Sequence, residues 1–346
     1  MNRALRAGLA AIGFVGAAAA LAILAGYLTL RASLPRLDGQ LAERGLAAPL
    51  TLERDALGVA TITAANRADL AFGTGFAHGQ DRFFQMDLAR RLAAGELSEL
   101  VGRAALDADM RVRVFRFRSI AQRALAQATP QQRTLLEAYT RGVNAGLASL
   151  GTRPWEYWLL RERPAPWAPE DSILVAYAMW WQLQSDDFDR ERTRREIEAR
   201  IGGPVCAGGW KCALEFLYPS RTEWDAPSVA DEAALRAENA RNEAPPAIPG
   251  PDEVDLRGRG AADRDARVGR AEIGAAEPAD IGSNGWAVAG RFTGSGAALV
   301  ASDMHLPLAV PPTWYRVRLR MPGLDLNGLT LPGAPALIAG SNGAVA

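Results

Sequence analysis

Hydrophobic and polar positions follow two different periods along the first part of this chain. Between residues 48 and 63 they alternate, which predicts two strands joined by a hairpin turn at residues 54–58. From residue 65 the apolar positions recur every three or four residues, which predicts helices. Asn66 is a candidate cap for a helical segment near residues 69–72, and further helices are predicted over residues 79–99, 130–150 and 169–201. A proline-rich turn at residues 163–167 separates the last two helices.

The periodicity is lost between residues 223 and 280. Aromatic residues are absent after Trp224, large aliphatic residues become rare, and charged residues and proline increase. Such a composition is typical of a spacer that need not pack into a core. From Ile281 the pattern returns to strands, predicted over residues 286–292, 297–302, 314–320 and 324–329. The predicted order is therefore strands, helices, spacer and strands.

The amino terminus predicts export. Arg3 and Arg6 precede an uncharged stretch over residues 7–30, which Arg31 closes. Its length is sufficient to cross a bilayer, and a basic start directs the following chain outward. The segment is either an uncleaved anchor, which its length favours, or a cleaved signal peptide with small residues around 17–20. We expect a periplasmic or cell-envelope protein.

Composition excludes several classes of partner and cofactor. The formal net charge of the 346 residues is zero, so nothing indicates a nucleic-acid partner. Only two histidines and two cysteines occur, which argues against a zinc site and against a Ser-His-Asp triad. Under the oxidising conditions outside the cytoplasm, Cys206 and Cys212 are predicted to form a disulfide, with two free thiols as the alternative.

Ser283 is the candidate nucleophile. It lies in the sequence GSNGW at residues 282–286, where the spacer meets a strand, so cleavage of the Gly282–Ser283 bond exposes a new amino terminus. An α-amino group titrates near about 7.7–8.0, so it is suited to act as the general base for its own serine. No G-x-S-x-G elbow is present at Ser283. The alternative is an ordinary loop serine.

A series of ordered motifs covers most of the exported part. They are RDALGV at residues 54–59, GFAHGQDRFFQM at 75–86, RR at 90–91, GELSE at 95–99, GVN at 142–144 after Tyr139, SNGW at 283–286, SDMHL at 302–306, PTWY at 312–315, LPG at 331–333 and GSNG at 340–343. They resemble the motifs of the penicillin acylase family of N-terminal-nucleophile hydrolases, which includes cephalosporin acylases and acyl-homoserine-lactone acylases.

The resemblance implies a fold and a maturation pathway. The expected fold is α+β, the four-layer αββα arrangement of these hydrolases. Residues 1–31 are the anchor or signal, 32–222 an α-subunit-like and mostly helical region, 223–282 the spacer and 283–346 the start of the β subunit. The precursor is expected to cleave itself at Gly282–Ser283 and at an upstream site between residues 221 and 261. The two subunits then come from one precursor.

The resemblance also implies roles for individual residues. The Ser283 hydroxyl attacks an amide carbonyl and its own amine relays the proton, so the chemistry requires no cofactor. His305 is expected beside the nucleophile. Tyr177 and Trp181, with Leu306 facing them, are expected to line a pocket for an apolar acyl group, with plain core packing as the alternative.

Two further residues are matched by the resemblance. Asp187 corresponds to the helix-side ligand of the structural calcium ion that some members bind, with a solvated helix surface as the alternative. His78 belongs to the helical signature and is expected to be structural, tying the start of a helix to neighbouring loops.

The chain also departs from the family. It stops at Ala346, whereas family β subunits continue for several hundred residues and carry the oxyanion donors there, so we expect a fragment or a truncated reading frame. Ser341 and Met304 replace the usual histidine and proline. The expected substrate is an N-acyl compound such as a penicillin or cephalosporin side-chain amide. The alternatives are an acyl-homoserine-lactone acylase and a truncated, inactive envelope protein that only binds.

Overall fold

A computed structural model of the chain describes residues 3–201, 283–304, 306 and 308–346. For residues 3–11, residue 284 and much of 186–201 the description covers the backbone alone. The chain divides into two compact units, residues 1–182 with 282–346 and residues 183–281. The predicted spacer, Gly282, His305, Cys206 and Cys212 lie outside the described residues.

Helices make up most of the described residues before the spacer. They are α1 (Arg3–Ala32), α2 (Arg67–Ala94), α3 (Ser98–Val101), α4 (Leu106–Arg113), α5 (Phe117–Gln127), α6 (Pro130–Ala148), α7 (Trp155–Leu160) and α8 (Pro169–Ile201). The predicted helices at 130–150 and 169–201 correspond to α6 and α8. The prediction did not separate α3, α4, α5 and α7 from the generally helical region.

The helix α2 is longer at its start than its hydrophobic pattern predicted. Asn66 caps it as expected, because its side chain accepts a hydrogen bond from the Asp69 N–H at 2.9 Å. The helix then runs without a break through residue 79, where a second helix was predicted to begin, so that division was wrong. It ends at Ala94 rather than near residue 99, because Gly95 adopts the left-handed conformation with φ of 68° and closes the last turn.

Four glycines explain how α2 remains a helix through a glycine-rich stretch. Gly75 and Gly79 on α2 lie against the backbone of α6, and Gly142 and Gly146 on α6 lie against the backbone of α2. A Cβ added at Gly142 would lie 2.0 Å from the backbone oxygen of Phe72, and one added at any of the other three would lie 2.2 Å from a facing backbone oxygen. The two helices therefore pack backbone against backbone, which only glycine permits.

Two sheets contain the strands. The strands are β1 (Thr51–Arg54), β2 (Ala60–Thr63), β3 (Ser283–Val288), β4 (Leu299–Met304), β5 (Tyr315–Met321), β6 (Leu324–Thr330) and β7 (Leu337–Ser341). Five form one sheet in the order β1-β2-β5-β6-β7, in which β2 and β5 are parallel and the other pairs antiparallel. The strands β3 and β4 form an antiparallel hairpin.

The sheet confirms some strand predictions and corrects others. The turn at residues 54–58 joins β1 to β2 as predicted, and β5 and β6 lie within a residue of their predicted bounds. The strand predicted over 286–292 was misplaced, because β3 spans Ser283–Val288 and residues 290–292 form a short 3-10 helix. The prediction missed β7, whose five residues include a glycine.

The large sheet joins residues from both sides of the predicted spacer. In the parallel pair, Ile62 of β2 is level with Leu319 of β5, and alternate residues of β5 (Tyr315, Val317 and Leu319) are buried. They pack with Leu70 of α2 into one core cluster, while a second cluster lies between α2, α6 and α7. The described part is thus α+β as expected, whereas the four-layer arrangement stays a prediction.

Candidate active site

Ser283 is the first residue of β3 and is exposed. In the β3–β4 hairpin it is level with Met304, so His305 follows its cross-strand neighbour directly in the sequence. Leu306 is half-buried, and its N–H donates to the Met304 carbonyl at 3.0 Å. Leu306 therefore lies two residues beyond Met304, the β4 residue that pairs with Ser283.

Tyr177 and Trp181 lie one turn apart on α8, in an aromatic cluster. The Tyr177 ring stacks on Phe117 with centroids 4.9 Å apart, and Trp181 packs against Phe115 at 5.3 Å. Trp181 is buried and Tyr177 half-buried within a cluster of residues from α2, α4, α5 and α8. The described contacts are core packing, and no hydrogen bond joins Ser283 to Tyr177 in the described part of the chain. Their role in an acyl pocket stays a prediction.

The remaining predicted ligands are outside what the structure describes. Asp187 is a residue of α8, for which the structure describes the backbone but not the side chain. Within the described residues, no group of three or more His, Cys, Asp or Glu side chains is placed to hold a metal ion. The calcium site, the role of His305 and the Cys206–Cys212 disulfide therefore stay predictions.

An arginine clamp connects β1, α2 and β5. The Arg54 guanidinium donates to both carboxylate oxygens of Asp81, at 2.8 and 3.0 Å, and to Gln80 Oε1 at 3.1 Å. The Tyr315 hydroxyl donates to the same carboxylate at 2.7 Å. Burial would lower the pKa of Arg54, but the charge of Asp81, the Tyr315 hydroxyl and the hydrogen bonds to both together outweigh it and raise that pKa. The clamp thus fixes a charged pair that is mostly shielded from water.

A second set of contacts holds the segment that leads into β5. The side chains of Arg82 and Gln85 both donate to the Pro312 carbonyl, at 3.3 and 3.2 Å. The Arg82 guanidinium also lies over the Tyr315 ring, 5.8 Å from its centroid. The signature at residues 75–86 therefore binds the motif at 312–315, which follows the spacer.

His78 is part of a buried chain of hydrogen bonds with a defined direction. The Tyr139 hydroxyl accepts from the Gly333 N–H at 2.9 Å and lies 2.7 Å from His78 Nδ1. On the other side the Thr330 hydroxyl donates to the Tyr315 carbonyl at 3.1 Å, so it accepts from His78 Nε2–H at 2.9 Å. The partners therefore select the Nε2–H tautomer.

The same surroundings keep His78 neutral. Complete burial, together with the positive charge of Arg82, lowers its pKa to about 3. A histidine with both ring nitrogens occupied and so low a pKa is structural, as the sequence predicted. The element it ties is the middle of α2 rather than the start of a helix, because α2 begins at Arg67.

Arg90 orients the start of α8. Its guanidinium donates to Asp87 at 2.7 Å, to Asp171 at 2.5 Å and to the carbonyls of Ala165 and Pro166 at 2.9 Å. Burial would lower the pKa of Arg90, but the two carboxylates outweigh it and raise that pKa. The proline-rich turn and the first turn of α8, the helix that carries Tyr177, are thus fixed to α2.

Most of these residues lie in the motifs named above, but the sequence did not indicate how they pair. Arg54, Asp81 and Tyr315 were each assigned to a motif, and only the opposite charges of Arg54 and Asp81 hinted at a contact. Thr330 was missed altogether, because nothing local marks a strand-end threonine as a partner of a distant histidine. These residues fix helices and strands of the described chain to one another, and the role of Ser283 as the nucleophile stays a prediction.

The chain belongs to the penicillin amidase family, whose pattern it matches over residues 49–346. It is 34% identical to the penicillin acylase 2 proenzyme of Pseudomonas sp. (strain SE83), over 88% of this chain and 36% of that protein. It is 32% identical to the acyl-homoserine lactone acylase QuiP of Pseudomonas aeruginosa, over 91% of this chain and 34% of that protein. The chain spans about a third of the length of these relatives.

A solved structure gives a weaker match. The thermostable penicillin G acylase from Alcaligenes faecalis superposes with a TM-score of 0.42 at 26% identity, over 52% of this chain and 96% of that chain.

Proposed function

We propose that the protein is an acylase precursor, which cleaves itself at Gly282–Ser283 and hydrolyses the amide bond of an N-acyl compound. One observation carries the proposal. In a chain of the penicillin amidase family, Ser283 is the exposed first residue of a strand and directly follows the predicted spacer. A serine in that position is accessible to cleavage and is held by backbone pairing afterwards. The relative from strain SE83 is itself named a proenzyme.

The packing supports two subunits that stay together after cleavage. Residues 32–222 form the α subunit, residues 223–282 the spacer and the β subunit begins at Ser283. The pairing of β2 with β5, the hydrogen bond from Arg54 to the Tyr315 hydroxyl, and the bond from His78 to Thr330 all cross from one subunit to the other. None of these contacts involves the spacer, so its removal leaves them intact.

The proposed reaction uses the amine that cleavage creates. The Ser283 Oγ adds to the amide carbonyl while the α-amino group of Ser283 takes its proton and passes it to the leaving amine. Collapse of the adduct breaks the C–N bond and leaves an ester on Ser283. Water then adds to this ester with help from the same amine, which releases the acid and restores the hydroxyl. No cofactor is required, and a calcium ion at Asp187 would be structural.

The acyl group is expected to be apolar. Tyr177, Trp181 and Leu306 would form its pocket, with His305 beside the nucleophile. A penicillin or cephalosporin side-chain amide is one substrate class. Acyl-homoserine lactones are the second candidate, because the chain is 32% identical to an acylase named for them.

The helix α1 supports a location in the cell envelope. Within the described residues, Ile12–Ala32 is the stretch that is long and apolar enough to cross a membrane, although a signal sequence has the same properties.

A serine pair tests the proposal. The protein, expressed from its complete gene, is compared with Ser283→Ala and with Ser295→Ala, an exposed serine in the β3–β4 connection. We expect Ser283→Ala to remain a single chain without hydrolysis, and Ser295→Ala to mature and act normally. Release of acid from an N-phenylacetyl amide and from an N-acyl homoserine lactone distinguishes the two substrate classes. An active, cleaved Ser283→Ala enzyme would contradict the proposal.

A further inference from the structure

The end of the apolar helix marks a bilayer boundary. The stretch Ile12–Ala32 contains 21 residues, and its described side chains are exposed except at Thr29 and Ala32, which are half-buried. At about 1.5 Å per residue it is roughly 31 Å long, which matches a hydrocarbon core of about 30 Å. If α1 remains attached and spans a membrane, Ala32 therefore lies where the hydrocarbon ends and the headgroups begin.

The loop before α7 is fixed to that boundary. The Thr152 N–H donates to the Ala32 carbonyl at 3.2 Å. A Cβ added at Gly151 would lie 3.1 Å from the same oxygen, so the two backbones are in close contact. The helix α7 begins three residues later, at Trp155, and three residues span at most about 10 Å. The helix is therefore near the plane in which α1 ends.

One face of α7 is apolar and exposed. Trp155 and Trp158 are 45% and 46% exposed and Leu159 is 73% exposed. Between them Tyr157 is buried, and its hydroxyl donates to Asp87 at 2.5 Å, which fixes the helix to α2. Tryptophans that present one edge to water are typical of the membrane interface. The exposed face thus has the chemistry of an interfacial anchor on a rigid support.

Basic side chains accompany this face. The Arg153 guanidinium lies over the Trp158 ring, 4.0 Å from its centroid, and Arg161 is exposed at the end of α7. At the end of α1, Arg31 and Arg36 line an open cleft of about 710 Å³ together with Leu34, Leu37, Ser149 and Gly151. Glu156 and Glu162 are the acidic residues of the α7 region, so the described charges at this junction are mainly positive. Phosphate headgroups complement such a junction.

We propose that α7 docks on the surface of the bilayer that α1 crosses, with Trp155, Trp158 and Leu159 in the interface and the neighbouring arginines at the level of the phosphates. The body of the protein would then be held against the membrane at two points, which fixes its orientation. This inference rests on α1 remaining attached and is independent of the acylase activity.

Tryptophan fluorescence tests the docking, because none of the chain's nine tryptophans lies in α1. The complete protein is inserted into vesicles of phosphatidylcholine and phosphatidylglycerol, in which the phosphatidylcholine carries bromine on the acyl carbons nearest the glycerol. Bromine quenches tryptophan only on close approach. We expect quenching in the native protein and its loss in the double variant Trp155→Phe/Trp158→Phe. The control Trp286→Phe removes a tryptophan that is 56% exposed on β3 and should leave the quenching unchanged.

Three results would overturn the inference: no bromine quenching of the native protein, equal quenching of the native protein and the double variant, or a membrane form whose amino-terminal sequence begins after Ala32. Circular dichroism of the double variant confirms that it is folded, so that a loss of quenching reports on docking.

Discussion

The crossing of α2 and α6 gives a prediction whose size follows from the structure. In Gly142→Ala the new Cβ would lie 2.0 Å from the Phe72 oxygen and 2.8 Å from its carbonyl carbon. Both atoms belong to the backbone of α2, so a rotamer change cannot remove the overlap, and the two helices must move apart. Overpacking of this kind costs about 3 kcal/mol, and the better helix propensity of alanine returns about 1 kcal/mol.

The expected net loss is therefore about 2 kcal/mol, which corresponds to a fall in the thermal midpoint of roughly 4–8 °C. The assay is thermal unfolding followed by circular dichroism, with Gly294→Ala as the matched control. A Cβ at Gly294 meets nothing within 4 Å, so the control should unfold with the native protein. A Gly142→Ala midpoint equal to or above that of the native protein would refute the close backbone crossing.

Two further predictions concern buried charge. The unfolded His78 binds a proton below its ordinary pKa of 6.5, whereas the folded one binds it only below a pKa of about 3, so this residue makes the free energy of unfolding fall as the pH falls from 6.5 to 3. In denaturant titrations His78→Gln should reduce the slope of the free energy of unfolding against pH by about 1.4 kcal/mol per pH unit. An unchanged slope would show that His78 is not buried. Arg54→Met leaves Asp81 without its cation and should lower the free energy of unfolding by about 2 kcal/mol in the same titrations. Adding Asp81→Asn to this variant should restore part of the loss. A double variant as unstable as Arg54→Met would contradict the clamp.

Local signals predicted the elements that local interactions determine. The start of α6 was readable because Thr129 and Gln132 form a reciprocal cap and Pro130 begins the helix. The hairpin turn between β1 and β2 was readable from Asp55 and Gly58, which close it through side-chain bonds and a positive φ of 78°.

Long-range pairing was not readable. The merging of two predicted helices into α2 depends on glycines that face α6, and β7 forms only because β6 offers it a partner. The parallel register of β2 and β5 joins residues about 250 positions apart in the sequence. Neither periodicity nor propensity carries such information, since both describe neighbours along the chain.

The candidate site was predicted to a similar extent. The change of pattern at residue 281 predicted a strand from residue 286 with Ser283 just before it, whereas Ser283 is the first residue of β3. The sequence did not predict the contacts of Tyr177 with Phe117 and of Trp181 with Phe115, because an aromatic stripe on a helix has the same pattern whether it lies in a core or lines a pocket.

The amino-terminal sequence and intact mass of the purified protein, expressed from its complete gene, would show whether the chain cleaves itself at Ser283. We expect two chains, one of which begins Ser-Asn-Gly-Trp. A single uncleaved chain in a folded protein would contradict this expectation and would show that Ser283 is not a terminal nucleophile.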